Sequence, residues 1–188
     1  MRSEVLAGQF LDLRGDAAGA DLAGCFEILR AKSARYTVER PLQIGAALAG
    51  ADDAVLAGLS RYGLPLGEAF QLCDDILGVF GDSSVTGKPS LTDLRDGKST
   101  VLMALTRRRA TPAQTALLDR WFGSPDLTAS GADAIREIIV ETGSLERLTG
   151  LMADRTAAAL EALDDLALPA PEHAALSEMA TRLTNRAH

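Results

Sequence analysis

The sequence predicts an all-α protein, a bundle of mostly antiparallel helices. Three observations point to it. Apolar residues make up 47% of the chain but aromatics only 4%, and alanine and leucine, both strong helix formers, dominate. No segment alternates apolar and polar residues with the period of two that a half-buried strand needs. Helix punctuation recurs down the chain, with Asp, Ser or Pro where helices should begin and Gly or Pro where they should stop.

The elements follow in order. Val5 to Leu13 is a short helical pattern that Arg14-Gly15-Asp16 breaks. Asp21 is placed to N-cap a helix through Ala31. Val38 to Gly50 continues as an apolar helix, with Pro41 near its start and Gly45, Ala46 and Ala47 permitting close packing. Asp52 starts a long helix, and the pair Asp52-Asp53 reads as cap and dipole partner. Gly63-Leu64-Pro65 predicts a kink before Gly67. A polar loop is expected from about Ser83 to Asp96, long for a compact domain. Ser99 to Arg109 is the next helix, with three arginines at its C-terminal end, where cations suit the dipole. Pro112 opens another through Phe122. Thr128 to Thr142 is ended by Gly143, and Ser144 caps a helix to about Leu166. After Leu168-Pro169-Ala170-Pro171, a last helix runs from Glu172 to Arg186. Residues 1–188 are expected to form a single helical domain.

Composition narrows the function classes. A net charge of −7 argues against a nucleic-acid partner. Cys25 and Cys73 read as buried free thiols of a reducing compartment, and His173 and His188 form no metal-ligand cluster with them. The apolar runs are too short for a membrane span, and Met1 leads into a charged start rather than a signal peptide. A soluble, cytoplasmic protein is expected.

Chemistry concentrates between Gly67 and Lys98. The first half is a helix with almost no polar face: Phe70, Leu72, Cys73, Ile76, Leu77, Val79 and Phe80 surround its axis. Into this apolar cylinder fall two adjacent carboxylates, Asp74 and Asp75. Gln71, Asp75, Gly78 and Asp82 follow at spacings of three or four, and Asp74 lies four before Gly78, so all share one side. A buried unpaired carboxylate costs several kcal/mol, so something cationic should face the pair. The following loop supplies Lys88, Arg95 and Lys98. Magnesium binds through one or two carboxylates plus substrate phosphates, and lysine binds phosphate as a point charge. A lone Asp pair would be read as ordinary salt bridges. Here the pair, the glutamine and two Gly-Lys steps recur within one short segment, which favours a metal and phosphate site.

This segment resembles the trans-isoprenyl diphosphate synthases, or polyprenyl synthetases. Their second aspartate-rich region reads roughly G-x-x-F-Q-x-x-D-D-x-x-D, then G-K-x-x-x-x-D, then G-K-x-T. Gly67, Phe70, Gln71, Asp74 and Asp75 match, followed by Gly87-Lys88 and Asp93, then Gly97-Lys98 and Thr100. Gly8 to Leu13 is similar to the family's G-Q-x-x-D-L, and Lys32-Ser33 to its lysine-threonine step, where a hydroxyl at a helix N-terminus would favour an anion. One departure stands out. The third aspartate of the pattern falls on Gly78, and by spacing alone Asp82 would take over a carboxylate role.

The resemblance implies helices around a central cavity and a head-to-tail condensation of an allylic diphosphate with isopentenyl diphosphate. It implies Asp74, Asp75 and, less directly, Asp82 as magnesium ligands. Lys32, Lys88 and Lys98 would hold the allylic diphosphate and Gln71 would orient it. The family's earlier D-D-x-x-D region has no counterpart here, so the chain is expected to be the C-terminal part of a synthetase, inactive alone. Without the upstream helices an apolar face should lie open, predicting a homo-oligomer. Two other classes are a non-catalytic synthetase-like regulatory subunit and a class I terpene cyclase. The intact Asp and Lys set weighs against the first, and the paired Gly-Lys steps against the second.

Overall fold

Helix α4, Asp53–Phe80, is the axis on which the rest is assembled. Its start is set locally: Asp52 Oδ1 accepts the Val55 N–H at 2.9 Å, and Asp53 adds a negative charge to the first turn. Leu59, Tyr62, Leu66, Ala69, Leu72, Cys73, Ile76 and Val79 recur every three or four residues and are all buried. The helix passes through Gly63-Leu64-Pro65 without interruption.

A computed structural model describes residues 2–14, 21–81 and 91–185 of the chain. Before α4 lie α1 (Arg2–Arg14), α2 (Leu22–Leu29), a π-helical segment (Arg30–Glu39) and α3 (Arg40–Leu48). After it come α5 (Thr92–Arg95), α6 (Val101–Arg109), α7 (Pro112–Trp121), α8 (Ala129–Glu141), α9 (Ser144–Asp164) and α10 (Ala170–Thr184). Among the described residues every regular element is helical, as the composition and the lack of strand periodicity predict.

Two apolar cores share α4 and α9. One joins Leu72, Cys73, Ile76 and Val79 to Leu148 and Met152, with Leu102 of α6 and Ile135 and Ile139 of α8. The other joins Leu59, Tyr62 and Leu66 to Ala159, Leu163 and Leu166, with Ala180 of α10. The early part of α4 therefore meets the late part of α9, and the late part meets the early part, so the two run antiparallel. Tyr62 donates its hydroxyl to the Leu176 carbonyl at 2.7 Å, closing α10 onto the second core. Both cysteines are buried and form no disulfide. No helix of the described residues is long and apolar enough to cross a membrane.

Several boundaries differ from those the sequence suggests. Asp21 caps α2 as expected, accepting the Gly24 N–H at 2.8 Å, but α2 gives way at Arg30 to π geometry and then to α3 without a break. Residues 92–95, expected in a loop, form α5, because Leu94 is buried in the first core. Ser144 is the first residue of α9 rather than its cap. Gly143, at φ 67°, takes the cap position, and the Ser144 hydroxyl meets that of Thr142 at 2.8 Å. Helix α10 begins at Ala170 instead of Glu172, since a proline is tolerated in the first turn. The expected break at Gly15-Asp16 and the terminal Arg186 lie outside the described residues.

Charge enters this interior at Glu68, 2% exposed, near the middle of α4. It is ion-paired with Arg30 of the π segment and, at 2.7 Å, with Arg155 of α9. Both guanidinium groups also lie 5.8 Å from the centroid of the Phe26 ring. Three helices are thus tied at one buried carboxylate. Removing both arginines leaves an uncompensated buried charge, so the R30A/R155A double variant is expected to lose about 3–5 kcal/mol of stability, more than the two single variants combined, by urea denaturation.

Candidate functional site

The last turns of α4 carry the candidate site. Gln71 and Asp75 lie one turn apart, and the Gln71 amide Nε2 donates to Asp75 Oδ1 at 3.0 Å. Asp75 is 8% exposed, while its neighbour Asp74 is half-buried. Burial pushes the Asp75 carboxyl up from 3.8 to about 7. The Gln71 hydrogen bond works against that rise, the nearby Asp74 and Asp93 charges add to it, and Lys98 opposes it.

Helix α5 and the turn after it deliver the other charges. Leu94 is 1% exposed and holds α5 in the core, and its carbonyl accepts the Gly123 N–H at 2.9 Å. Gly97 at φ 64° lets the chain turn back where an L side chain would be strained. The Lys98 ammonium then pairs with Asp93 Oδ1. Thr100 N-caps α6, its Oγ1 accepting the Met103 N–H at 3.2 Å.

The structure brings Gln71, Asp75 and Lys98 into one electrostatic group, with Asp74 acting on it. Lys98, one of the cations expected to face the pair, acts on Asp75 through its charge. Asp75's direct partner is a neutral amide, and Lys98 pairs with Asp93. Asp82 and Lys88 lie outside the described residues, and Arg95 is exposed. Lys32 sits inside the π segment, so Lys32-Ser33 does not open a helix and no helix N-terminus is presented there. The segment packs tightly on both sides. A β-carbon on Gly8 would lie 2.7 Å from the Lys32 backbone nitrogen, and one on Gly67 2.6 Å from the Ala34 carbonyl oxygen. The missed feature is Asp93. Its place in the motif is legible, but nothing in the sequence tells that α5 folds it onto α4.

Among the described residues no three of His, Cys, Asp and Glu are grouped so as to hold a metal by themselves. Asp74 and Asp75 instead fit magnesium as a partial set, one or two carboxylates completed by substrate phosphates. The buried, incompletely neutralised Asp75 is the observation that favours such a cation.

The family model for polyprenyl synthetase matches residues 1–139. The chain belongs to the polyprenyl synthetase family. Geranylgeranyl diphosphate synthase of Mycobacterium tuberculosis is 35% identical over 139 residues, which are 74% of this chain and 39% of that protein. A solved geranylgeranyl pyrophosphate synthase of Corynebacterium glutamicum, complexed with isoprenyl diphosphate and magnesium, superposes with a TM-score of 0.95 at 38% identity, covering 99% of this chain and 53% of that one. A polyprenyl synthase of Caulobacter crescentus, complexed with calcium and isoprenyl diphosphate, gives 0.88 at 32%, covering 99% and 56%. The chain thus has the all-α isoprenoid synthase fold and spans about half the length of these solved relatives.

Asp75 sets a pH dependence whose sign follows from its shift. The folded chain keeps this proton up to about pH 7, whereas the unfolded chain releases it near 3.8. Between these values the folded state binds the extra proton, so Asp75 makes stability fall as pH rises across that window. D75N carries no charge and still accepts from Gln71. It is expected to melt at a higher temperature than the parent at pH 8 and to converge with it towards pH 4, in melts followed by circular dichroism.

Proposed function

We propose that this chain supplies the magnesium- and diphosphate-binding wall of a trans-prenyltransferase of the geranylgeranyl or polyprenyl diphosphate synthase type, which condenses an allylic diphosphate with isopentenyl diphosphate. The observation that carries the reading is the Asp74-Asp75 pair at the end of a buried helix, Asp75 incompletely neutralised, with Lys98 beside it. Family membership and the ligands named for the Corynebacterium relative support it.

The residues divide the work. Asp74 and Asp75 hold the cation, with Asp82 as the further candidate on the same side of the motif. Lys32, Lys88 and Lys98 bind diphosphate oxygens as point charges. Gln71 fixes the Asp75 carboxylate through its amide and orients the bound diphosphate. When bound, magnesium supplies positive charge that stabilises the departing diphosphate. The allylic C–O bond breaks with its electron pair leaving on the diphosphate. The isopentenyl double bond then forms the new C–C bond, and a proton lost from the adjacent carbon passes to the departed diphosphate. The same reading takes the protein to be cytoplasmic, where these diphosphates are water-soluble substrates.

Large apolar side chains stand exposed on the elements before α4: Leu6 and Phe10 on α1, and Ile44 and Leu48, 85% exposed, on α3. They support self-association. Light scattering is expected to give a mass above the 19.8 kDa of one chain, and a stable monomer would count against it. The D74A chain should lose magnesium-dependent binding of inorganic diphosphate in calorimetry with its far-UV spectrum unchanged. Retained binding would remove Asp74 from the ligand set. Incubated with allylic and isopentenyl diphosphates and magnesium, the 188-residue chain alone is expected to yield no product, because it carries one aspartate-rich region. Robust turnover by the mass-verified chain would overturn that half-site argument.

A further inference from the structure

Gly78 stands where the family pattern has its third aspartate, and the structure shows what that substitution makes room for. A β-carbon on residue 78 would overlap the Asp93 carboxylate, lying 3.0 Å from its Cγ and 3.5 Å from its Cβ. The Asp93 side chain therefore fills the volume that any side chain at 78 would claim. Its placement is not accidental to one loose loop. The adjacent Leu94 is locked in the core, so α5 presents Asp93 directly onto α4. Asp93 Oδ2 is the oxygen turned to Gly78, while Oδ1 takes the Lys98 ammonium. The Lys98 backbone N–H also donates to the Asp93 carbonyl at 3.3 Å. Side chain and backbone of Lys98 are both fastened to the residue seated on Gly78.

We propose that Gly78 is a socket for Asp93, and that Asp93 seated there is a positioning residue that holds the Lys98 ammonium beside Asp75 for diphosphate capture. The socket stands on packing alone; the role in capture rests on the function proposed above.

A cycle of G78A, D93A and the double variant tests both parts in the full chain. Alanine is a better helix former than glycine, so G78A should raise the melting temperature in the D93A background. In the parent the same change displaces the Asp93 carboxylate, and the gain should vanish or reverse. An equal rise in both backgrounds overturns the socket whatever the ligand. Calorimetry with magnesium and inorganic diphosphate tests the positioning. G78A and D93A are each expected to weaken binding about tenfold, the scale of one charge-assisted hydrogen bond, with the double variant no weaker than D93A. D93N, which still accepts a hydrogen bond from Lys98, should recover part of the loss. Multiplicative losses in the double variant, or parental affinity in D93A where K98A is impaired, overturn the positioning role. A parent chain that binds no magnesium diphosphate overturns that role together with the proposed function, and the melting cycle still decides the socket.

Discussion

A carboxylate inside an apolar helix must be paired, protonated or completed from outside, and α4 meets this constraint in two ways. At Glu68 the chain closes the problem itself, bringing guanidinium groups from the π segment and from α9 onto one buried side chain. Two turns later, the Asp75 carboxylate accepts an amide hydrogen bond from Gln71, and its carboxyl is pushed up to about 7. Desolvation costs of several kcal/mol per ion make that difference consequential. The first carboxylate is a fastener between helices. The second has no ion-pair partner among the described residues.

The π segment is the second device that depends on α4. A π turn widens the helical path and is uncommon outside short bulges, which often mark functional sites. Here it runs from Arg30 to Glu39 and carries both Arg30, which anchors Glu68, and Lys32. Glycines at positions 8 and 67 let the neighbouring helices approach its backbone closely. Because helical geometry continues from α2 through α3, no helix N-terminus is presented at Lys32.

The two carboxylates and the lysine form one wall. The chain spans about half the length of the relatives that it superposes on. The exposed apolar side chains of α1 and α3 lie on the elements that precede the site helix, away from the two cores.

What the sequence determined by itself was everything governed by near neighbours along the chain. Helical class followed from composition and periodicity. The caps at Asp21 and Asp52 follow from side chains reaching N–H groups three residues ahead. The shared side of Gln71 and Asp75 follows from their spacing of four. Tertiary structure alone decided what faces those side chains. Glu68 meets partners 38 residues before it and 87 after, and Asp93 comes to rest on Gly78, which no pattern at that range encodes. The π geometry was equally hidden, as was the close approach of Gly8 and Gly67 to its backbone. Local hydrogen bonds and helical period are properties of a few consecutive residues, whereas the partner of a buried charge is chosen only when distant segments pack.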